Sequence, residues 1–313
     1  MIPSSVTRAF GTGQPTDAPV RVDGGVSHAV FRLTTTTGRY AAKRLNTVDE
    51  RWWWDAYHEA ARIEARAAAA GVSLPTRLEP LVAELDVDGV RQHWQMHRWS
   101  DGRRPTDPAG DGLADWTGAT LALLHRDPAG GAPERAPLYP LTSWHEWLGE
   151  QDTPFTRQVR EHLPTVAAAL EHLAQPGPPL TAVLSHRDVK PDNVLLTDDG
   201  PVLLDWDSAG PDIAEHEILR SALAMGFEAR EPFERTIAAY LRAGGRALPA
   251  DPAIFHGIVE AQLRTAEWLL WRALGHRHDE PAERDHAARE CPARLRGAAE
   301  SLRRIPEWTT WLG

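Results

Sequence analysis

Residues 185–209 read SHRDVKPDNVLLTDDGPVLLDWDSA, and no other stretch of this chain constrains its fold as much. Asp188, Asn193 and Asp205 each adjoin a short apolar run that can anchor them. The runs at 194–196 and 202–204 predict two short strands around a polar turn. Two carboxylates and an amide are therefore expected near the ends of short, fixed pieces of backbone.

The rest of the chain supplies the frame. Residues 20–45 alternate apolar and polar side chains, with Gly24-Gly25 and Thr37-Gly38 as punctuation, which predicts antiparallel strands joined by turns. The Ala-, Glu- and Arg-rich stretch 49–72 predicts one helix stopping at Gly71, with Pro75 soon after. Strands are expected at 81–85 and 90–96, divided by a turn at 86–89. After the turn-rich SDGRRPTDPAGDG the pattern becomes helical, at 113–125, 143–149 and 155–173, and in several helices between 214 and 304. The expected class is α+β. A small, mostly β N-terminal lobe with one main helix spans 1–99, with a connector near 95–99, and a larger, mostly helical C-terminal lobe spans 100–313.

With 42% apolar and 25% charged residues spread along its length, the chain has the composition of a folded globular protein. It has no apolar run of membrane-spanning length, and MIPSSVTRAF lacks a secretory layout, so a cytoplasmic protein with no membrane partner is expected. Cys291 is the only cysteine, which rules out an intrachain disulfide. The net charge of −10 is unevenly placed: residues 1–99 hold 12 basic and 11 acidic side chains, and residues 100–313 hold 22 and 33. An acidic surface repels nucleic acid and attracts cations, so no nucleic-acid partner is expected.

Phosphoryl transfer needs what the central stretch offers. The moving group is densely charged, and catalysis consists largely of positioning it beside a divalent metal held by hard oxygen ligands. Asn193 and Asp205 can supply such oxygens. Asp188 can then orient and accept the proton of an attacking hydroxyl or amine, with Lys190 two residues on to neutralise the moving phosphoryl group. Lysine usage points the same way. Of 34 basic residues only Lys43 and Lys190 are lysine. A compact ammonium enters a crowded phosphate cluster in a geometry that the planar guanidinium does not reproduce.

These residues resemble the protein-kinase-like superfamily, and especially its aminoglycoside phosphotransferase and choline-kinase-like branch. HRDVKPDN agrees with the protein-kinase catalytic loop at every signature residue, although the small-molecule branch more often has Gly in place of Arg187. LDWDSAGP is typical of that branch. The resemblance implies a bilobal kinase-like fold, ATP or GTP and Mg²⁺ as cofactors, Asp188 as catalytic base, Asn193 and Asp205 as metal ligands, and His186 as a support for the loop. It also implies that Lys43 pairs with the α- and β-phosphates. VDGGVSHAVFRL is similar to the hairpin that covers the nucleotide, with Gly24, Gly25 and Ser27 as the candidates there. The family register favours Glu59 over Glu64 as the carboxylate partner of Lys43, and aligns 95–99, including Gln95, Met96 and His97, with the hinge that holds adenine.

Protein kinases follow the metal-binding Asp with Phe-Gly, a long activation segment and an Ala-Pro-Glu anchor, whereas here Trp206 and Asp207 follow Asp205 and no such anchor lies downstream. A small acceptor is therefore expected. The acidic second part suggests a cationic one, an aminoglycoside-like antibiotic or an amine-bearing metabolite, with Asp207, Glu228, Glu231, Glu260, Glu267, Trp268 and Trp271 as candidate contacts. Two rival readings are a protein Ser/Thr kinase with a shortened activation segment and a catalytically silent kinase-like binding module. Trp52-Trp53-Trp54 is expected to pack between helix and sheet. His276, His278, His286 and Cys291 fit no standard zinc spacing.

Overall fold

The computed structural model describes residues 4–22, 28–87, 89–107, 112–131, 133, 137–276 and 281–313. Gly24, Gly25, Ser27 and His278 lie outside the described residues. The chain forms two compact units. The first comprises Met1–Leu113 and Ser185–Gly210, and the second comprises Ala114–Leu184 and Pro211–Gly313. This division by packing differs from a cut at 99/100: the stretch that carries Asp188, Asn193 and Asp205 packs with the N-terminal residues.

The first unit opens with α1 (Ser4–Ala9), a short helix that the sequence pattern did not indicate. The strands β1 (Val20–Val22), β2 (Ala29–Thr35) and β3 (Gly38–Leu45) follow, then α2 (Arg51–Ala69), β4 (Ala83–Val87) and β5 (Val90–Arg98). The five strands form one antiparallel sheet in the order β1-β2-β3-β5-β4. Because strand side chains alternate, Tyr40 and Ala42 of β3 and Trp94 and Met96 of β5 turn to one face. There they join Val6 and Phe10 of the N-terminal segment, Leu33 and Ala83 in a buried core. Lys43 lies opposite Gln95 in the β3–β5 register, on the other face.

Helix α2 buries Tyr57, Ala60, Ile63, Glu64 and Ala67, the 3–4 spacing of a one-faced helix. Tyr57 donates to Gln95 Oε1 at 2.6 Å, and Arg77 Nη1 reaches the same oxygen at 2.9 Å. Glu64 binds Arg77 through one carboxylate oxygen and His97 Nε2 through the other at 2.9 Å. Burial would raise the pKa of Glu64, but His97 and Arg77 outweigh burial and hold it below the usual carboxylate range. Of the tryptophan triplet, Trp53 stacks on Tyr57 and Trp54 meets His93 edge to face, while Trp52 stays 61% exposed.

In the second unit α3 (Leu113–Leu124), α4 (Leu141–Leu148), α5 (Pro154–Glu161) and α6 (Leu163–Leu173) come first. The single helix expected over 155–173 is two, because the chain breaks at His162 and restarts with Pro164 in the first turn of α6. Next come β6 (Ala182–Ser185) and, in the first unit, the hairpin of β7 (Val194–Thr197) and β8 (Gly200–Leu203). β9 (Gly210–Ile213) pairs with β6. The chain ends in α7 (Ala214–Met225), α8 (Arg230–Arg242), α9 (His256–Ala273) and the long α10 (Pro281–Thr310). Trp144, Phe233, Tyr240, Phe255 and Trp308 are fully buried among these helices. A buried polar chain crosses them: His125 bonds Tyr240 Oη at 2.9 Å and Glu217 at 3.0 Å. Among the described residues no helix is long and apolar enough to cross a membrane.

Candidate active site

The β7–β8 hairpin sets the site. Val194 pairs with Leu203, and Leu204 N–H donates to Asn193 O at 2.8 Å, so Asn193 and Asp205 leave the same end of the hairpin. His186 is fully buried just before the loop. Its Nε2 reaches Leu204 O at 2.8 Å, its ring meets Trp206 edge to face, and its Nδ1 accepts from Asp188 N–H at 3.3 Å. These contacts fix the neutral Nε2–H tautomer and tie the Asp188 loop to the Asp205 turn.

Asn193 is buried, and its amide nitrogen donates to Asp188 O at 2.9 Å and to Asp188 Oδ2 at 2.8 Å. Lys190 Nζ sits 2.8 Å from that same Oδ2. Its ammonium thus pairs with Asp188, whereas the sequence pattern puts it near the moving phosphoryl group. Buried Val189 anchors the loop between them.

The second cluster is electrostatic. Lys43 Nζ lies 2.7 Å from Asp205 Oδ1 and 2.6 Å from Asp207 Oδ2. Burial works against the charge on Lys43, but Asp207 and Asp205 outweigh it and hold the pKa above that of an ordinary lysine. Burial would likewise raise Asp205, and Lys43 reverses that and lowers it. His28 Nε2 is 3.3 Å from Asp207 Oδ2. Burial is the main cause that keeps the His28 pKa below the usual imidazole value, against the pull of Asp207. Asp205 itself has a φ of 60°, a left-handed conformation that Asp tolerates better than most residues.

Several expected contacts are not brought together. Glu59 pairs with Arg62 on its own helix, whereas Lys43 takes its carboxylates from Asp205 and Asp207. The reason is helical phase: the buried face of α2 runs through 57, 60, 63–64 and 67, and Glu59 is off it. In the expected hinge, Met96 O accepts from Leu78 N–H at 2.8 Å, Arg98 N–H donates to Thr76 O at 2.8 Å and Trp99 N–H donates to Arg39 O at 3.0 Å. Those backbone groups, and the Gln95 and His97 side chains, serve the sheet and α2. Beyond them, Arg103 exchanges two backbone hydrogen bonds with Leu196.

Asp207, read from sequence as an acceptor contact, stands on Lys43 instead. Glu228 is held by Arg304, which bonds both its carboxylate and its carbonyl. Glu231 is exposed. Glu260 accepts from Arg264 at 2.8 Å. Glu267 is only 6% exposed and accepts from Tyr139 N–H at 3.0 Å. Burial pushes its pKa up to about 7. Trp268 and Trp271 of the same helix are exposed, Trp268 under the Arg272 guanidinium and Trp271 stacked on His276. Sequence reasoning missed His28, although its place after Gly-Gly and at the head of a strand was visible.

A sequence model described as the phosphotransferase enzyme family matches residues 20–255, which include both clusters. The chain belongs to this family. Among solved structures, this family member is similar to a spectinomycin phosphotransferase determined with ADP and spectinomycin, at 12% identity and a TM-score of 0.69 over 95% of this chain and 96% of that one. It is also similar to a choline/ethanolamine kinase family protein from Mesorhizobium loti, at 22% identity and a TM-score of 0.52 over 93% and 92%. A third is an amicoumacin kinase determined with AMP-PNP, Ca²⁺ and Ami, at 12% and 0.59 over 97% and 92%. These likenesses speak to the fold, and they agree with the α+β, protein-kinase-like class read from the motifs. No curated protein sequence matches the chain.

The donors present fit a hard divalent cation. Asn193 spends its nitrogen on Asp188, which leaves the amide oxygen as a ligand, and Asp205 adds a carboxylate. Among the described residues no cluster of three or more His, Cys, Asp or Glu could hold a metal. A Mg²⁺ here would therefore need nucleotide phosphates as further ligands, which is the usual way this ion is held in kinases.

Proposed function

We propose that this chain is an ATP- or GTP-dependent small-molecule kinase that moves the γ-phosphoryl group to a hydroxyl of a small, cationic acceptor. The observation that carries the reading is the pair of clusters at one hairpin end: Asn193 orienting Asp188, and Lys43 drawn onto Asp205. Bound Mg²⁺ would neutralise phosphate charge, with Asn193 and Asp205 as its protein ligands. Asp188 keeps Oδ2 on Asn193 and Lys190, and its other oxygen takes the acceptor's proton. Lys43 binds the α- and β-phosphates once nucleotide is present.

The shape of the chain after Asp205 favours this reading over a protein kinase. A 3₁₀ turn at Trp206–Ser208 leads through β9 to α7 at Ala214, so only eight residues separate the acid from the helix. That is too short for an activation segment on which a peptide could lie. For a cationic acceptor the support is the charge balance: residues 100–313 hold 33 acidic and 22 basic side chains. Use of ATP and a lone buried thiol fit a cytoplasmic setting, and whether the role is antibiotic inactivation or metabolism follows from the acceptor.

The test is ADP release and label transfer from γ-labelled ATP across amine-bearing antibiotics, amino alcohols and a protein extract. Label in a small amine-bearing alcohol is expected, together with a loss of about a hundredfold or more in turnover for Asp188→Ala. Label in protein alone, or near-normal turnover in that variant, would contradict the proposal.

A further inference from the structure

Lys43 faces two carboxylates, and they are not equivalent. The Asp205 side chain is 49% exposed and that of Asp207 is 23% exposed. Asp205 has Lys43 as its close basic partner. Asp207 also meets His28, whose side chain is only 12% exposed. The imidazole is itself fixed. Asn46 N–H donates to Nδ1 at 3.0 Å, so Nδ1 is the acceptor and Nε2 is the ring nitrogen that lies 3.3 Å from Asp207 Oδ2. The turn that carries both acids packs against α2, yet α2 sends no carboxylate to Lys43.

We infer that Asp207 is the standing carboxylate partner of Lys43, and that His28 is the positioning residue that holds Asp207 in place. The inference rests on the nucleotide-binding role proposed above for Lys43 and Asp205. One ammonium against two carboxylates leaves a surplus negative charge, which suits an incoming cation. With metal and nucleotide bound, Asp205, the more exposed of the two acids, would be the one to serve the cation. Asp207, whose Oδ2 lies against both Lys43 Nζ and the His28 ring, would stay and keep the ammonium aimed at phosphate. The function that the family resemblance gives to a glutamate on α2 thus passes to an acid two residues beyond Asp205.

The test is equilibrium binding of ATP, with and without Mg²⁺, followed by calorimetry on the full-length protein, with thermal unfolding recorded for each variant. Asp207→Asn is expected to weaken binding about tenfold, the scale of one charge-assisted contact. His28→Phe is expected to weaken it about three- to tenfold by the same reasoning. Two further variants separate positioning from mere support of the strand end. Gln at position 28 can place its amide nitrogen where Nε2 stands, and Asn can replace only Nδ1. Binding should therefore recover in His28→Gln and not in His28→Asn, with similar melting temperatures for the two.

Equal affinity in all four variants and wild type would overturn the inference, as would equal recovery by Gln and Asn. A larger loss for Glu59→Gln than for Asp207→Asn would also overturn it. If wild type itself bound no ATP, the proposed function would fall first, so the two failures are distinguishable.

Discussion

Arg187 has a φ of 71°, a conformation that glycine adopts freely and an L side chain adopts at a cost of about 1–3 kcal/mol. The small-molecule branch that the motif resembles more often has Gly at this place, and the backbone explains why. The Arg187 guanidinium lies against Gly210, where a Cβ would come within 2.9 Å of Nη1. In chemical denaturation Arg187→Gly should stay within about 1 kcal/mol of wild type, and Arg187→Val should lose about 2 kcal/mol or more, since a β-branched residue fits this region worst. The opposite ranking would show that side-chain contacts, not φ, dominate. Glu267 carries a second residue-level prediction. Its folded pKa of about 7 lies above the ordinary 4.5, so its contribution to stability is full below 4.5 and is lost as pH rises through about 7. The melting temperature of Glu267→Gln relative to wild type should be higher at pH 8 than at pH 5. An equal difference at both would mean that the carboxyl titrates normally.

Elements with a clear period were legible. The strand alternation at 20–45 and the one-faced helix at 51–69 appear where the pattern put them, because each buries one face and the period records which. The β6–β9 pair was not legible: each strand has four residues, too few to show a period, and pairing between distant segments leaves no local trace. Glu59, which the family register puts beside Lys43, pairs with Arg62 for a related reason. Counting a register along the chain ignores helical phase, whereas the apolar positions of α2 were enough to set it. Helices α6 and α9 are joined by a feature that composition hides. His172 and His256 meet with ring centroids 4.8 Å apart, and the Nε2 of each is buried without a hydrogen-bond partner. Burial lowers the pKa of both below 6.5. Burial thus favours the neutral form of both, so their contribution is full above pH 6.5 and declines as pH falls below it. The fall in melting temperature between pH 7.5 and 5.5 should be smaller in the double variant His172→Phe, His256→Phe. An unchanged fall would assign the acid sensitivity to other groups.

Across the whole molecule, residue type is easier to read from sequence than packing. The residues proposed to carry the chemistry, Lys43, Asp188, Asn193 and Asp205, stand out by type and neighbours, and the only two lysines of the chain are Lys43 and Lys190. Which segments pack together is a matter of contacts across more than a hundred residues, and no local pattern records that Ser185–Gly210 joins the N-terminal residues in one compact unit. The same holds for Asp207, whose type was noticed and whose partner was not. The charge asymmetry, by contrast, is a property of composition and needed no fold to be seen.

The central claim is that one hairpin end and one strand lysine together hold nucleotide and metal. Its most direct test is the Mg²⁺ dependence of ATP affinity in wild type and in Asp205→Asn. The account predicts that Mg²⁺ strengthens binding to wild type by about tenfold or more and that most of this gain disappears in the variant, because the ion loses its charged protein ligand. An equal gain from Mg²⁺ in both proteins, or no nucleotide binding by wild type, would contradict it.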